Sequence, residues 1–100
     1  MEFDTVIKKR TATRKFQRHK QLEKEKLMKI LESGRLAPTA KNLQPQRILV
    51  VNSKEGLEKI RQVTPCNYGA PTVLIICGDK NQAFCKNNHS TLEIDVSIVA

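Results

Sequence analysis

Ile48-Leu49-Val50-Val51 is an uninterrupted apolar run rich in β-branched side chains, and Val73-Leu74-Ile75-Ile76-Cys77 repeats the pattern. A strand with one face in water alternates apolar and polar residues, so two continuous runs predict strands covered on both faces. In a chain of 100 residues this demand is severe. Such a length holds one domain at most, and a domain of that size buries only about 60–65% of its unfolded surface. Between the runs, Ser53 restarts a helix whose apolar stripe is Leu57, Ile60 and Val63, up to Thr64-Pro65. Two covered strands around a helix predict a mixed sheet.

The remaining elements follow from local signals. Asp4 is placed to cap a short helix to about Arg10, and a basic loop follows. From Glu23 to Leu36, the helical spacing of Leu27, Ile30, Leu31 and Gly34 describes an amphipathic helix that Pro38 ends. Residues 37–46 read as an ordered loop, and Lys86-Asn87-Asn88-His89 as an exposed one. Ser90-Thr91-Leu92-Glu93 has the form of a capping box opening a last helix. Leu92, Ile94, Val96, Ile98 and Val99 make that helix apolar around most of its circumference, yet it reaches Ala100 without an end signal. This reads as an incomplete chain that needs cover, which a second copy would supply.

Several function classes drop out. No apolar run approaches the roughly 20 residues of a membrane span, and MEFDTVIKKR lacks a secretory apolar region, so a cytoplasmic protein is expected. Cys66, Cys77 and Cys85 are odd in number and have no CxxC spacing, which speaks against disulfides and zinc; Cys77 belongs to the core. No GxGxxG, Walker A, HExxH or GxSxG pattern occurs. His19 and His89 are expected to be solvated, Glu93 and Asp95 point in different directions on a helix, and Cys66 has no activating neighbour. No side chain stands out as catalytic.

Charge is more informative. The net charge is +8, and Lys8, Lys9, Arg10, Arg14, Lys15, Arg18 and Lys20 occur with no carboxylate between Asp4 and Glu23. Nucleic acid, a phosphate-bearing cofactor and an acidic partner all suit such a stretch, as does plain solvation. The four aromatics do not interleave with these cations, and no helix carries a recognition pattern for duplex DNA.

Arg10-Thr11-Ala12-Thr13-Arg14-Lys15-Phe16, then Leu36-Ala37-Pro38-Thr39-Ala40-Lys41-Asn42-Leu43-Gln44-Pro45 about twenty residues on, then a strand, resembles the N-terminal half of the FMN-dependent nitroreductase family. Ala70-Pro71 before the second strand and Ile94-Asp95-Val96-Ser97-Ile98 in the last helix resemble it too, so the similarity covers nearly the whole chain. The resemblance implies one α+β domain over 1–100, with a mixed central sheet flanked by helices, incomplete in this chain and completed by dimerisation.

The resemblance also implies a cofactor, FMN, with NAD(P)H as electron donor and a nitroaromatic, quinone or related small molecule as acceptor. Guanidinium groups suit both the flavin phosphate and the anionic edge of the reduced ring. By similarity Arg10 contacts the phosphate, Ala12 lies along the ribityl chain, Arg14 faces the ribityl–pyrimidine side, and Thr11 between them also belongs to the cofactor-binding segment. Pro38, Thr39, Ala40 and Asn42 would reach a flavin held mainly by the other subunit of a homodimer, with no nucleic-acid or membrane partner. Asn67 or Gln62 could offer an amide to the pyrimidine ring, or be satisfied by backbone. Two positions depart from the family: Ala12 stands where Ser is usual, and Gln46 where an aromatic is common. A catalytically silent truncated fragment or structural dimer of the same fold, and a basic nucleic-acid-binding module, remain as alternatives.

Overall fold

Local signals set most element boundaries in the computed structural model, which describes residues 2–100. Helix α1 spans Phe3–Lys9, α2 Lys24–Leu36 and α3 Lys54–Val63, and α4 spans Leu92–Val99; strands β1 to β4 cover Gln46–Val51, Val73–Gly78, Cys85–Lys86 and His89–Ser90. The Ser53 side chain caps α3 by accepting the Gly56 N–H at 3.0 Å. Helix α2 stops at Leu36, two residues before Pro38, because Pro disfavours helical geometry in the residue before it and Ala37 is extended at φ −61° and ψ 141°.

Three expectations about helices and turns are corrected. Glu2, not Asp4, stands at the N-cap of α1; Asp4 lies in the first turn, where its charge complements the helix dipole, as Lys8 and Lys9 do in the last. The stretch around Asn87-Asn88 is a tight hairpin, with Cys85 opposite Ser90 and Lys86 opposite His89. Asn87 and Asn88 take φ of 53° and 65°, the left-handed pair that a two-residue hairpin turn of this twist requires. That hairpin commits Ser90 to β4, so α4 starts one residue later with Thr91 at its N-cap. The capping box does not form: the Ser90 hydroxyl accepts the Leu92 N–H at 3.1 Å.

The two long strands pair with each other, from Gln46 opposite Gly78 to Val51 opposite Val73. The expected mixed sheet is therefore, among the described residues, antiparallel throughout. Helix α3 leaves from Val51, and residues 64–72 return the chain to the same end of β1, so β2 must run back along it. Helix α4 packs across β2 and β1. At Gly34 in α2, an added Cβ would meet Ile48 Cδ1 of β1 at 2.9 Å and Val99 Cγ1 of α4 at 3.6 Å, so three elements converge there.

Cover on both faces of the strands is not realised within this chain. Among the described residues Pro45 is fully buried but no aliphatic or aromatic core side chain is, Leu49 is 55% exposed, and Cys77, expected in the core, is exposed. A compact protein of 11.4 kDa exposes about 5800 Å²; this chain exposes 8388 Å², a surplus of roughly 2600 Å². Its radius of gyration is 15.7 Å against about 13 Å for a compact domain of this length. Among the described residues no helix is long and apolar enough to cross a membrane.

Candidate functional site

Between α2 and β1 the chain makes one turn of 3-10 helix, Ala40–Asn42, with unusual backbone geometry. Lys41, Asn42 and Gln44 have φ of 53°, 53° and 51°. Asn tolerates the left-handed region, but for other residues with a Cβ it costs about 1–2 kcal/mol, so something must hold this loop. Thr39 supplies part of the restraint: its carbonyl accepts the Asn42 N–H at 2.9 Å and its hydroxyl accepts the Gln44 N–H at 3.0 Å. The Leu43 N–H turns back to the Ala40 carbonyl at 3.2 Å.

The other restraint comes from α4. Asp95 is 2% exposed, the only buried charged side chain among the described residues. Its Oδ1 accepts the Ala40 N–H at 3.0 Å and its Oδ2 accepts the Thr91 hydroxyl at 3.0 Å. The Lys41 Nζ lies 4.9 Å from the centre of the Phe84 ring, a cation–π distance. Pro38, Lys41 and Asn42 are exposed, while Thr39 and Ala40 are half-buried. The result is a stiff loop presenting a pyrrolidine ring and an amide to its surroundings.

Arg10 forms the C-cap of α1, its N–H bonded to the Val6 carbonyl at 3.0 Å, and Thr11, Ala12 and Arg14 continue as exposed irregular chain. Among the described residues no ion pair or side-chain hydrogen bond engages Arg10 or Arg14, and no hydrogen bond joins this segment to the Pro38–Asn42 loop. The basic segment is moored further on: the Gln21 amide donates to the Asn52 carbonyl at 3.4 Å, and its oxygen accepts the Thr72 hydroxyl at 3.2 Å. The Arg18 guanidinium lies against Gly69, whereas Arg10 and Arg14 are exposed.

The other residues that drew notice divide. The Asn67 side-chain oxygen accepts the Gly69 N–H at 3.5 Å, so its carbonyl serves its own turn, and Gln62 is exposed on α3. Gln46, standing where an aromatic is common, opens β1 with its amide nitrogen 3.4 Å from the Gly34 carbonyl and its oxygen buried without a partner. His19 and His89 are exposed. Next to Cys66, Tyr68 has its pKa raised above the usual phenol range, first by the charge of the Cys66 sulfur and then by their hydrogen bond.

The model of the nitroreductase family matches residues 7–67, which take in both the Arg10–Arg14 segment and the Pro38–Asn42 loop. The chain belongs to the nitroreductase family. A nitroreductase family protein from Clostridium difficile 630 superposes with a TM-score of 0.92 at 40% identity, covering 99% of this chain and 58% of that one. A candidate nitroreductase from Exiguobacterium sibiricum, solved in complex with FMN, superposes at 0.67 with 31% identity, over 82% of this chain and 41% of that one. YdgI of Bacillus subtilis, named as a candidate NAD(P)H nitroreductase, is 33% identical over 86 residues, 82% of this chain and 41% of its own length. The chain thus spans less than half the length of such curated relatives. The α+β nitroreductase fold read from the motifs is the fold observed.

Sequence reasoning missed Asp95. The signal available was a lone carboxylate in the middle of the otherwise apolar face of α4; its partner Ala40 lies 55 residues away, and no local spacing marks that pairing.

Proposed function

We propose that the chain contributes the phosphate-binding and loop side of a flavin site in an FMN-dependent NAD(P)H oxidoreductase, with nitroaromatics, quinones or related small molecules as acceptors. The observation that carries this reading is the stiff Pro38–Gln44 loop, with three left-handed residues, inside the segment the family model matches. Backbone held in such conformations concentrates at ligand sites.

The donor set fits FMN. Arg10 and Arg14 offer guanidiniums that no carboxylate of the described chain neutralises, and a guanidinium grips a phosphate dianion through two parallel N–H donors. Arg10 holds the phosphate, with Thr11 and Ala12 along the ribityl chain. Arg14 balances charge on the pyrimidine side, and Pro38, Thr39, Ala40 and Asn42 present a fixed wall to the ring. Bound FMN supplies two-electron transfer between hydride donor and acceptor. The chain's own residues bind and orient; no side chain is needed as general acid or base, in keeping with the absence of a candidate.

A homodimer in the cytoplasm suits this reading. The surplus exposed surface exceeds the roughly 800 Å² that each partner buries in a standard interface. Val63, Leu36 and Ile94 are 80%, 67% and 62% exposed, apolar surface that a second copy and further protein would cover. The test is a visible spectrum of the chain after incubation with FMN and desalting, with its mass and circular dichroism measured alongside. Retained colour, lost in the Arg10→Ala/Arg14→Ala variant, is expected. A folded, colourless wild-type chain would overturn the reading.

A further inference from the structure

We propose that Asp95 is a positioning residue that sets the conformation of the Pro38–Gln44 loop from the far end of the chain, and through it the affinity for flavin; this rests on the flavin reading above. A carboxylate taken out of water is costly unless hydrogen bonds replace its solvation. Asp95 lies in the first turn of α4, yet its carboxylate is turned to the Ala40–Asn42 turn and to the Thr91 hydroxyl rather than to the backbone N–H groups of α4, and it is 2% exposed. Each oxygen has a protein donor: the backbone N–H of Ala40 at 3.0 Å on one and the Thr91 hydroxyl at 3.0 Å on the other.

Thr91 is itself fixed, because its N–H donates to the Phe84 carbonyl at 2.9 Å. Its hydroxyl lies 3.3 Å from the same carbonyl and has one proton to give, shared between Phe84 and Asp95. Lys41, beside Ala40, rests over the Phe84 ring. Two adjacent loop residues are therefore fastened to one cluster, Phe84, Thr91 and Asp95, at the start of α4. The attachment falls immediately before Lys41, Asn42 and Gln44, whose left-handed backbones need outside restraint. Loss of the Asp95 acceptor strands the Ala40 N–H and lets the loop relax. The apparent affinity for a ligand then drops in proportion to the fraction of molecules with the loop in place.

The test combines amide hydrogen exchange with FMN titration, followed by flavin fluorescence, on the wild-type chain and three variants. In Asp95→Ala the Ala40 amide should exchange faster while the β1–β2 ladder stays protected, and FMN binding should weaken by about tenfold. Asp95→Asn should stay near wild type, since its oxygen can accept from Ala40 and its amide can donate to Thr91. This separates positioning from charge, because loss of a negative charge alone would tighten binding of the anionic cofactor in both variants. Thr91→Val, which removes one partner only, should show the same two changes in smaller degree and serves if Asp95→Ala fails to fold. An Ala40 amide as protected in Asp95→Ala or Thr91→Val as in wild type would overturn the proposal, as would unchanged FMN affinity beside a loosened loop. A wild-type chain that takes up no FMN refutes the flavin reading instead, and the Ala40 exchange still decides whether Asp95 holds the loop.

Discussion

Replacement of Gly78 by Ala tests how α4 is seated. Gly78 ends β2 directly under α4, and a Cβ there would overlap the Leu92 Cδ1 methyl, come within 2.9 Å of Val96 Cγ2 and within 3.1 Å of Leu92 Cγ. Two side chains one helical turn apart would both have to move, so the whole first half of α4 is pushed off the sheet. Overpacking of this kind costs about 1–3 kcal/mol, and the reduced freedom of the unfolded chain returns about 0.4–1 kcal/mol. The net loss should be about 1–2 kcal/mol, or a Tm lower by roughly 5–15 °C for a domain of this length. Gly34→Ala is the matched control. Its Cβ would press mainly on Ile48 Cδ1, the mobile end of a side chain, at 2.9 Å, and Ala in place of Gly inside a helix gains about 1 kcal/mol, leaving stability nearly unchanged. Thermal unfolding by circular dichroism reads both. Shortening the obstructing side chain in Gly78→Ala/Leu92→Val should recover about 1 kcal/mol as a coupling energy. Equal melting temperatures for Gly78→Ala and wild type, or no coupling to Leu92, would refute this account of the packing.

Other consequences are simpler to state. Ser53→Ala removes the side-chain acceptor of the Gly56 N–H and should cost about 1 kcal/mol, read from the urea midpoint. On α2, Arg35 holds the Glu32 carboxyl below its usual range, chiefly by hydrogen bonding and then by charge. Because the folded value is the lowered one, that contribution is present above the ordinary carboxylate range and lost as pH falls through the lowered value; Arg35→Gln should return Glu32 to its ordinary titration by NMR, and salt should weaken the pair. Cys66→Ala should bring Tyr68 down toward the ordinary phenol range. With one Tyr and no Trp in the chain, tyrosinate absorbance reports that residue alone.

The parts of the fold that were legible depend on short-range physics. Uninterrupted β-branched runs mark β1 and β2, Ser53 marks the start of α3, and Pro38 marks the end of α2. Where the structure departs from expectation, the deciding partner is remote. The capping box at Ser90 loses to a hairpin in which Ser90 faces Cys85, and the direction of β2 depends on where residues 64–72 deliver the chain. Cys77 sits in an apolar run yet is exposed, because continuous hydrophobicity shows that a strand needs cover and not that this chain provides it. For the candidate site, the motifs point to Arg10–Arg14 and Pro38–Asn42, segments that lie within the residues 7–67 matched by the family model. They could not reveal that the loop is pinned by Asp95, since that bond exists only once α4 has packed across the sheet.

The most direct test of the central claim is an amide chemical-shift map of the chain titrated with FMN. Saturable shifts should concentrate at Arg10–Arg14 and Thr39–Asn42, because these segments are assigned the phosphate and the ring, and should be lost in Arg10→Ala/Arg14→Ala. Shifts scattered over the lysines of residues 8–26 and abolished by moderate salt, or none at all, would contradict the account.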